Sequence, residues 1–198
     1  LKNFKSKKNN ILGIEPSKNV ASLATKRGVK TINKFFTYNN AKSLRDFKNN
    51  THVICAANAI CHIPNLKDLI KGIDVLLSKK GIFVFEEPYL GSMYKKTSYD
   101  QIYDEHIFMF SVSSIKKIFK LFEFELINVE PQSTHGGSMR YVVARKGAYK
   151  IEEKVRKYLK YEKKNFIDSL QGCLKFKKKF KLSKKKLRNK ILSINKSK

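Results

Sequence analysis

Residues 53–87, VICAANAICHIPNLKDLIKGIDVLLSKKGIFVFEE, decide how this chain is read. The run 53–58 is apolar and closes on two alanines and an amide, the profile of a short buried strand. Leu66, Leu69, Ile70, Ile73, Leu76 and Leu77 recur at helical spacing and predict a helix over 66–78. Gly81 then opens a second apolar strand over 82–86. Strand, helix, strand in this order is the unit of a parallel sheet.

The same alternation continues outward. Upstream, 11–15 reads as a short strand ending in Glu15, with Ser17 placed to cap a helix over 19–27 and Gly28 at the C′ position. A strand over 29–33 leads to Phe35 and Phe36, and a short helix is expected around 41–47. Residues 1–10 are polar and lysine-rich, a surface connection. Downstream, 88–106 is too irregular for a regular element and reads as an insertion beside a site. A helix over 112–122 and strands over 124–129 and 139–144 follow, the strands as an antiparallel pair at the sheet edge. Apolar positions from Ile151 to Leu170 predict one or two long amphipathic helices between 149 and about 180. The fold class is α/β, a doubly wound sheet, with a core over 1–148 and a helical, lysine-rich start of a second domain over 149–198. No GxG occurs anywhere, and the first strand already ends in an acid, which is the task of a second strand in a nucleotide-binding sheet. The core is therefore read as incomplete at its N-terminus.

Composition narrows the function. Hydrophobic residues make up 41% of the 198, a globular proportion. No apolar run has the eighteen or so residues of a membrane span, and no signal peptide is visible. Cys55, Cys61 and Cys173 form no CxxC pair, which points to a reducing, cytoplasmic setting and no zinc site within these residues. The net charge of +27 raises nucleic acid as a partner, but all but six of the 43 basic residues are lysine, a bias that an AT-rich genome produces without selection for phosphate binding. The rival to an enzyme is a polyanion-binding module built on Lys175–Lys190.

Four motifs carry candidate chemistry. Glu15 at a strand end can accept from ribose hydroxyls, or can simply face the N-terminus of the next helix. Asn58 and His62 follow the strand 53–57, where small residues let a ligand approach; His62 is equally readable as structural. Tyr103-Asp104-Glu105-His106 holds a histidine beside a carboxylate and a tyrosine, a general base with an orienting group and a donor, or else a polar turn. His135-Gly136-Gly137-Ser138-Met139-Arg140 can form an anion nest with Arg140 as a bidentate clamp, or a hairpin turn.

The stretches GIEPSKNVASLATKRGVKTINKFF, AANAICHIPNLKDLIKGIDVLLSKKGIFVFEEPYL, YDQIYDEHIFMFSVSSIKKIF and HGGSMRYVVARKG, spread over residues 10–150, resemble the sugar C-methyltransferases. These S-adenosylmethionine-dependent enzymes methylate C3 of nucleotide-linked 4-keto-deoxysugars. The resemblance implies a class I methyltransferase core of Rossmann-like type, with a nucleotide-linked sugar as substrate. It implies that Glu15 binds the adenosine ribose and that Phe36, Ala57 and Asn58 are further cofactor contacts. Tyr103, Glu105 and His106 match the family's YHEH motif, with His106 as the base at C3; Asp104 stands where the family usually has histidine. His62 matches a second active-site histidine, and His135, Gly136, Gly137, Ser138 and Arg140 would hold the nucleotide-sugar.

The family's cysteine-rich N-terminal zinc module, glycine-rich cofactor loop and GYGA turn have no counterpart here. On this reading the chain is an internal piece of a longer enzyme, zinc belongs to the absent module alone, and the piece binds cofactor weakly. An inactive remnant of such an enzyme is the alternative within the family.

Overall fold

The computed structural model describes residues 1–4, 6 and 9–195. In chain order its elements are β1 (Gly13–Ile14), α1 (Lys18–Lys26), β2 (Thr31–Ile32), α2 (Tyr38–Ser43), β3 (Thr51–Ala57), α3 (Leu66–Leu76), β4 (Leu77–Pro88), α4 (Leu90–Lys96), α5 (Val112–Lys120), β5 (Phe124–Gln132), β6 (Ser138–Arg145), α6 (Glu153–Asn165) and α7 (Leu170–Asn195). The chain divides into two compact units, Leu1–His52 with Asn65–Lys79, and Val53–Pro64 with Lys80–Lys198. Of the expected surface connection over 1–10, residues 5, 7 and 8 lie outside the described residues, and Lys2–Phe4 forms a 3-10 turn.

In the first unit β1 and β2 pair in parallel, Gly13 opposite Thr31 and Ile14 opposite Ile32. A Cβ on Gly13 would stand 2.8 Å from Thr31 Oγ1, so the close pairing requires glycine there. Ser17 takes the N-cap position of α1, but its hydroxyl bonds Asn19 Oδ1 at 2.7 Å and caps no backbone N–H. Gly28, at φ 79°, ends the helix as expected. The short helix begins at Tyr38, earlier than its spacing suggested, because the Thr37 hydroxyl accepts the Asn40 N–H and fixes the start. In α3, Leu69, Ile70, Ile73 and Leu76 are buried, as their spacing demands. The helix stops at Leu76 rather than 78, since Leu77 turns extended (φ −68°, ψ 127°) and starts β4.

The second unit is built on a four-stranded sheet ordered β3-β4-β6-β5. β6 runs antiparallel to both neighbours, with Tyr141 opposite Phe85 on one side and Val129 on the other. The expected antiparallel pair is present, with β6 inserted between β4 and β5. β1 and β3 belong to different sheets. The rings of Phe83, Phe85, Tyr141 and Phe119 stack at centroid distances of 4.7 to 6.0 Å to form the core. α5 buries Val112, Ile115 and Phe119 behind a Ser111–Ser114 capping box.

The segment 88–106 departs from the expected irregular insertion. It contains α4, which buries Met93 and ends at Thr97 in the left-handed region (φ 58°), and a 3-10 turn over Tyr99–Gln101. Lys95 and Lys96 in the last turn of α4 suit the negative end of its dipole. α7 runs past the expected end near 180 to Asn195. Phe176 stacks on Tyr94 at 4.9 Å and Phe180 meets Tyr99 edge-on at 4.7 Å, so its first turns pack on the insertion. No helix among the described residues is long and apolar enough to cross a membrane.

Candidate active site

The site residues expected beyond β3 all lie in the second unit. At the end of β3, Ala57 and Asn58 are exposed, and Asn58 takes φ 49°. Its N–H donates to Glu86 O at 2.8 Å and its side-chain amide reaches His135 Nε2 at 3.2 Å. The next turn, Ile60–His62, is held by a group the sequence reading passed over. The fully buried Glu87 carboxylate accepts the N–H groups of Ala59 at 3.0 Å and Ile60 at 2.7 Å on Oε1, and of Cys61 at 3.4 Å on Oε2. Burial, with Glu87 second, pushes the Cys61 thiol up to about 12.

That turn delivers His62 toward His106, their ring centroids 5.1 Å apart. His62 Nδ1 lies 2.7 Å from Glu105 O, and His106 Nδ1 lies 2.8 Å from Gln101 O. A carbonyl can only accept, so each Nδ1 carries a proton, and the uncharged form of each ring has its lone pair on Nε2. On His106 that lone pair accepts from the Tyr103 hydroxyl at 2.8 Å. The Glu105 carboxylate orients neither ring: it is exposed and makes no hydrogen bond among the described residues, and the main chain of Gln101 and Glu105 does the orienting instead. Asp104 is exposed as well.

The glycine turn differs from the expected anion cradle. His135, Gly136 and Gly137 all have positive φ, and Lys96 Nζ caps Gly136 O. Gly137 packs tightly, since a Cβ there would fall 2.6 Å from Ser92. Ser138 is buried at the start of β6, its hydroxyl directed to Thr134 O at 3.3 Å. Arg140 is bonded to Glu86 Oε2 at 3.0 Å and lies 3.9 Å from Glu130, so its guanidinium is already paired rather than held out for phosphate. The pocket between this turn, Tyr89 and Gln101 has room for about one water, ≈ 10 Å³. A wider cavity of ≈ 340 Å³ is lined by Tyr89, Lys95, Lys157, Tyr158 and Tyr161.

In the first unit, Glu15 is half-buried at the end of β1. Its Oε1 accepts the Ser17 N–H at 2.8 Å, and Oε2 has no protein partner among the described residues. Phe36 lies against Gly72 of α3, where a Cβ would come within 2.8 Å of its ring. A ribose hydroxyl needs an acceptor such as the open Glu15 oxygen, and an extended cofactor needs small, accessible residues such as Ala57 and Asn58. Taken one by one, these residues have the chemistry that S-adenosylmethionine asks for.

Glu87 was legible in principle: it shares the face of Phe83 and Phe85 by strand parity. Gln101 carried no side-chain signal, because its main chain does the work.

Residues 1–129 match the family model described as a methyltransferase domain. The chain belongs to that methyltransferase family. Residues 133–198 match the model described as the C-methyltransferase C-terminal domain. The C-methyltransferase NovU of Streptomyces niveus is 30% identical over 129 residues, which are 65% of this chain and 31% of that protein. The chain thus spans under a third of that relative's length. Among solved structures, the PH0226 protein of Pyrococcus horikoshii superposes with a TM-score of 0.52 at 16% identity, covering 70% of this chain and 73% of that one. A SAM-dependent methyltransferase of Anabaena variabilis gives 0.52 at 15%, covering 69% and 68%. At such identities these two likenesses speak for the fold alone, and that fold is the α/β, Rossmann-like sheet of class I methyltransferases.

Proposed function

We propose that this chain forms part of an S-adenosylmethionine-dependent C-methyltransferase acting on a nucleotide-linked keto-deoxysugar in the cytoplasm. The observation that carries the reading is the Tyr103–His106 pair, an imidazole whose Nδ1 faces a main-chain carbonyl and whose Nε2 faces a hydroxyl. His106 Nε2 takes the proton alpha to the substrate ketone. The Tyr103 hydroxyl, released from Nε2 as the substrate enters, donates to the developing enolate oxygen. His62, with Nδ1 against the Glu105 carbonyl, offers Nε2 as an acceptor to a sugar hydroxyl rather than as a second donor. S-adenosylmethionine, when bound, supplies an electrophilic methyl group to the carbanion. Glu15, Phe36, Ala57 and Asn58 are assigned to hold it.

The ≈ 340 Å³ cavity with Lys95, Lys157, Tyr158 and Tyr161 has the size and charge to take the nucleotide end of the substrate. The ion-paired Arg140 and buried Ser138 leave His135 and Gly136 as the parts of the glycine turn open to the sugar. The polyanion reading is weaker, because Phe176 and Phe180 of α7 face Tyr94 and Tyr99 and are not available to stack on bases.

The test is wash-out of the C3 proton of a 4-keto nucleotide-sugar in heavy water, without cofactor. His106→Ala should slow it by about 10²–10⁴-fold. Exchange at the unaltered rate in that variant would remove His106 as the base. No exchange by the unaltered chain would favour the inactive remnant.

A further inference from the structure

We propose that Cys61, His62 and His106 form a binding site for a borderline-soft divalent ion, zinc being the probe, and that occupancy of this site switches off proton abstraction. One donor atom of each residue lies within 4.8 Å of the other two. The trio is brought together from two segments, which is why counting CxxC spacings gave no hint of it. Donors of a tetrahedral zinc site, with bonds of about 2.0–2.3 Å, stand about 3.3–3.8 Å apart, so closing the site needs a contraction of about an ångström.

Three features favour that contraction over a chance cluster. The segments are already stapled: Cys61 O accepts from both Ile107 N at 3.0 Å and Phe108 N at 3.2 Å. The turn bearing Cys61 and His62 is fixed from behind by Glu87. Both histidines donate Nδ1–H to main-chain carbonyls, the orientation that sets Nε2 toward a metal in ligating histidines. One thiolate and two imidazoles suit zinc rather than magnesium or calcium. Binding replaces the thiol proton, which leaves to solvent, by a sulfur–zinc bond, and no electrons are exchanged. The ion takes the His106 Nε2 lone pair and displaces the Tyr103 hydroxyl, so a metal-bound His106 cannot accept a proton from carbon. The inhibitory half rests on the proposed function; the binding half does not.

Binding is read first by calorimetry of the reduced chain with zinc, and by the absorption of its cobalt(II) form. A single site with a thiolate-to-cobalt charge-transfer band is expected. Cys61→Ser should weaken zinc by at least about 100-fold, beyond the 10–100-fold typical of outer-sphere changes, and abolish the band while leaving metal-free C3 exchange intact. Absence of the band in the unaltered chain, or equal zinc affinity in the serine variant, overturns the site, and the first readout stands even if the variant fails to fold. In the exchange assay, zinc should suppress wash-out by the unaltered chain, a chelator should restore it, and the serine variant should be indifferent at the same concentration. A zinc-saturated chain that still exchanges at the metal-free rate overturns the inhibition. A chain that binds zinc but shows no exchange even without metal overturns the proposed function and leaves the binding site in place.

Discussion

β3 and β6 belong to one sheet and are about equally apolar, but the molecule treats them differently. β6 lies between β4 and β5, and Met139, Tyr141, Val143 and Ala144 are fully buried. Among the described residues β3 has β4 as its one sheet neighbour, Val53 is 52% exposed, and Cys55 and Ala57 are exposed with it. An apolar run specifies that a strand forms; its burial is settled by what lies on either side. Each end of this contrast carries one buried glutamate. Glu87 anchors the turn after β3. Glu162 of α6 anchors α5, accepting from Val112 N at 2.6 Å, Ser113 N at 2.8 Å and the Tyr89 hydroxyl at 2.9 Å. Burial first, and Glu162 next, hold the Tyr89 hydroxyl far above the ordinary tyrosine value.

The contrast breaks most sharply under core truncation. Phe85→Ala removes a fully buried ring stacked on Phe83 and Tyr141 and should cost about 3–5 kcal/mol. Val53→Ala, on the exposed strand, should cost under about 1 kcal/mol. Urea midpoints of the two variants decide the matter. Equal losses would mean that β3 is covered in solution.

Glu162→Ala comes next. It leaves a buried hydroxyl and two backbone N–H groups without their acceptor, at about 1–3 kcal/mol for the first unsatisfied group and less for those that water can reach. The expected total is about 2–4 kcal/mol by thermal or chemical unfolding. A loss below about 1 kcal/mol would show that Ser111 and solvent cap α5 unaided.

How much of this was readable beforehand follows the same divide. Periodicity located the strands and most of the helices, α4 excepted, because hydrophobic spacing is a local property, and the Tyr103–His106 proximity followed from their neighbouring positions. Helix ends were misjudged where a local feature decides them, as with the Thr37 cap and the extended backbone of Leu77. The contacts that orient the two histidines were not legible because a carboxylate beside a histidine suggests a side-chain contact, whereas the fold uses main-chain carbonyls, which leave no mark on residue identity. The ion pairs of Arg140 were not legible because its partners, Glu86 and Glu130, are cross-strand neighbours visible only once the register of β4, β5 and β6 is known. Glu162 sits seven residues beyond the buried Val155, on the same helix face, and that spacing could have revealed it.

Glu87→Gln tests the other end of the contrast. The amide keeps the volume and one acceptor oxygen but loses the charge that draws three N–H groups together. A stability loss of about 1–2 kcal/mol is expected, smaller than for Glu162→Ala, together with slower C3 exchange, because His62 and the Cys61 carbonyl that holds the 107–108 segment both hang on this turn. Unchanged exchange with lowered stability would make Glu87 a purely structural anchor.

The smallest effect belongs to Asp168, an exposed group that receives the Ser113 hydroxyl at 2.7 Å and Lys117 Nζ at 3.3 Å. The Ser113 hydrogen bond holds its carboxyl below the usual carboxylate range; burial opposes it, and Lys117 adds to the lowering. A depressed folded value means that the unfolded chain binds the proton more readily. The contribution is therefore fully present above the unfolded value of about 3.9 and fades as pH falls through the lower folded one. Exposed pairs contribute about 0–1 kcal/mol, so Asp168→Asn should lower stability by no more than that at pH 7, and the gap between variant and unaltered chain should close in stronger acid. Parallel urea titrations at pH 7 and pH 3 measure it. A gap that widens toward pH 3 would mean that Asp168 is stabilised as the acid rather than as the anion, reversing the sign argued from its two donors.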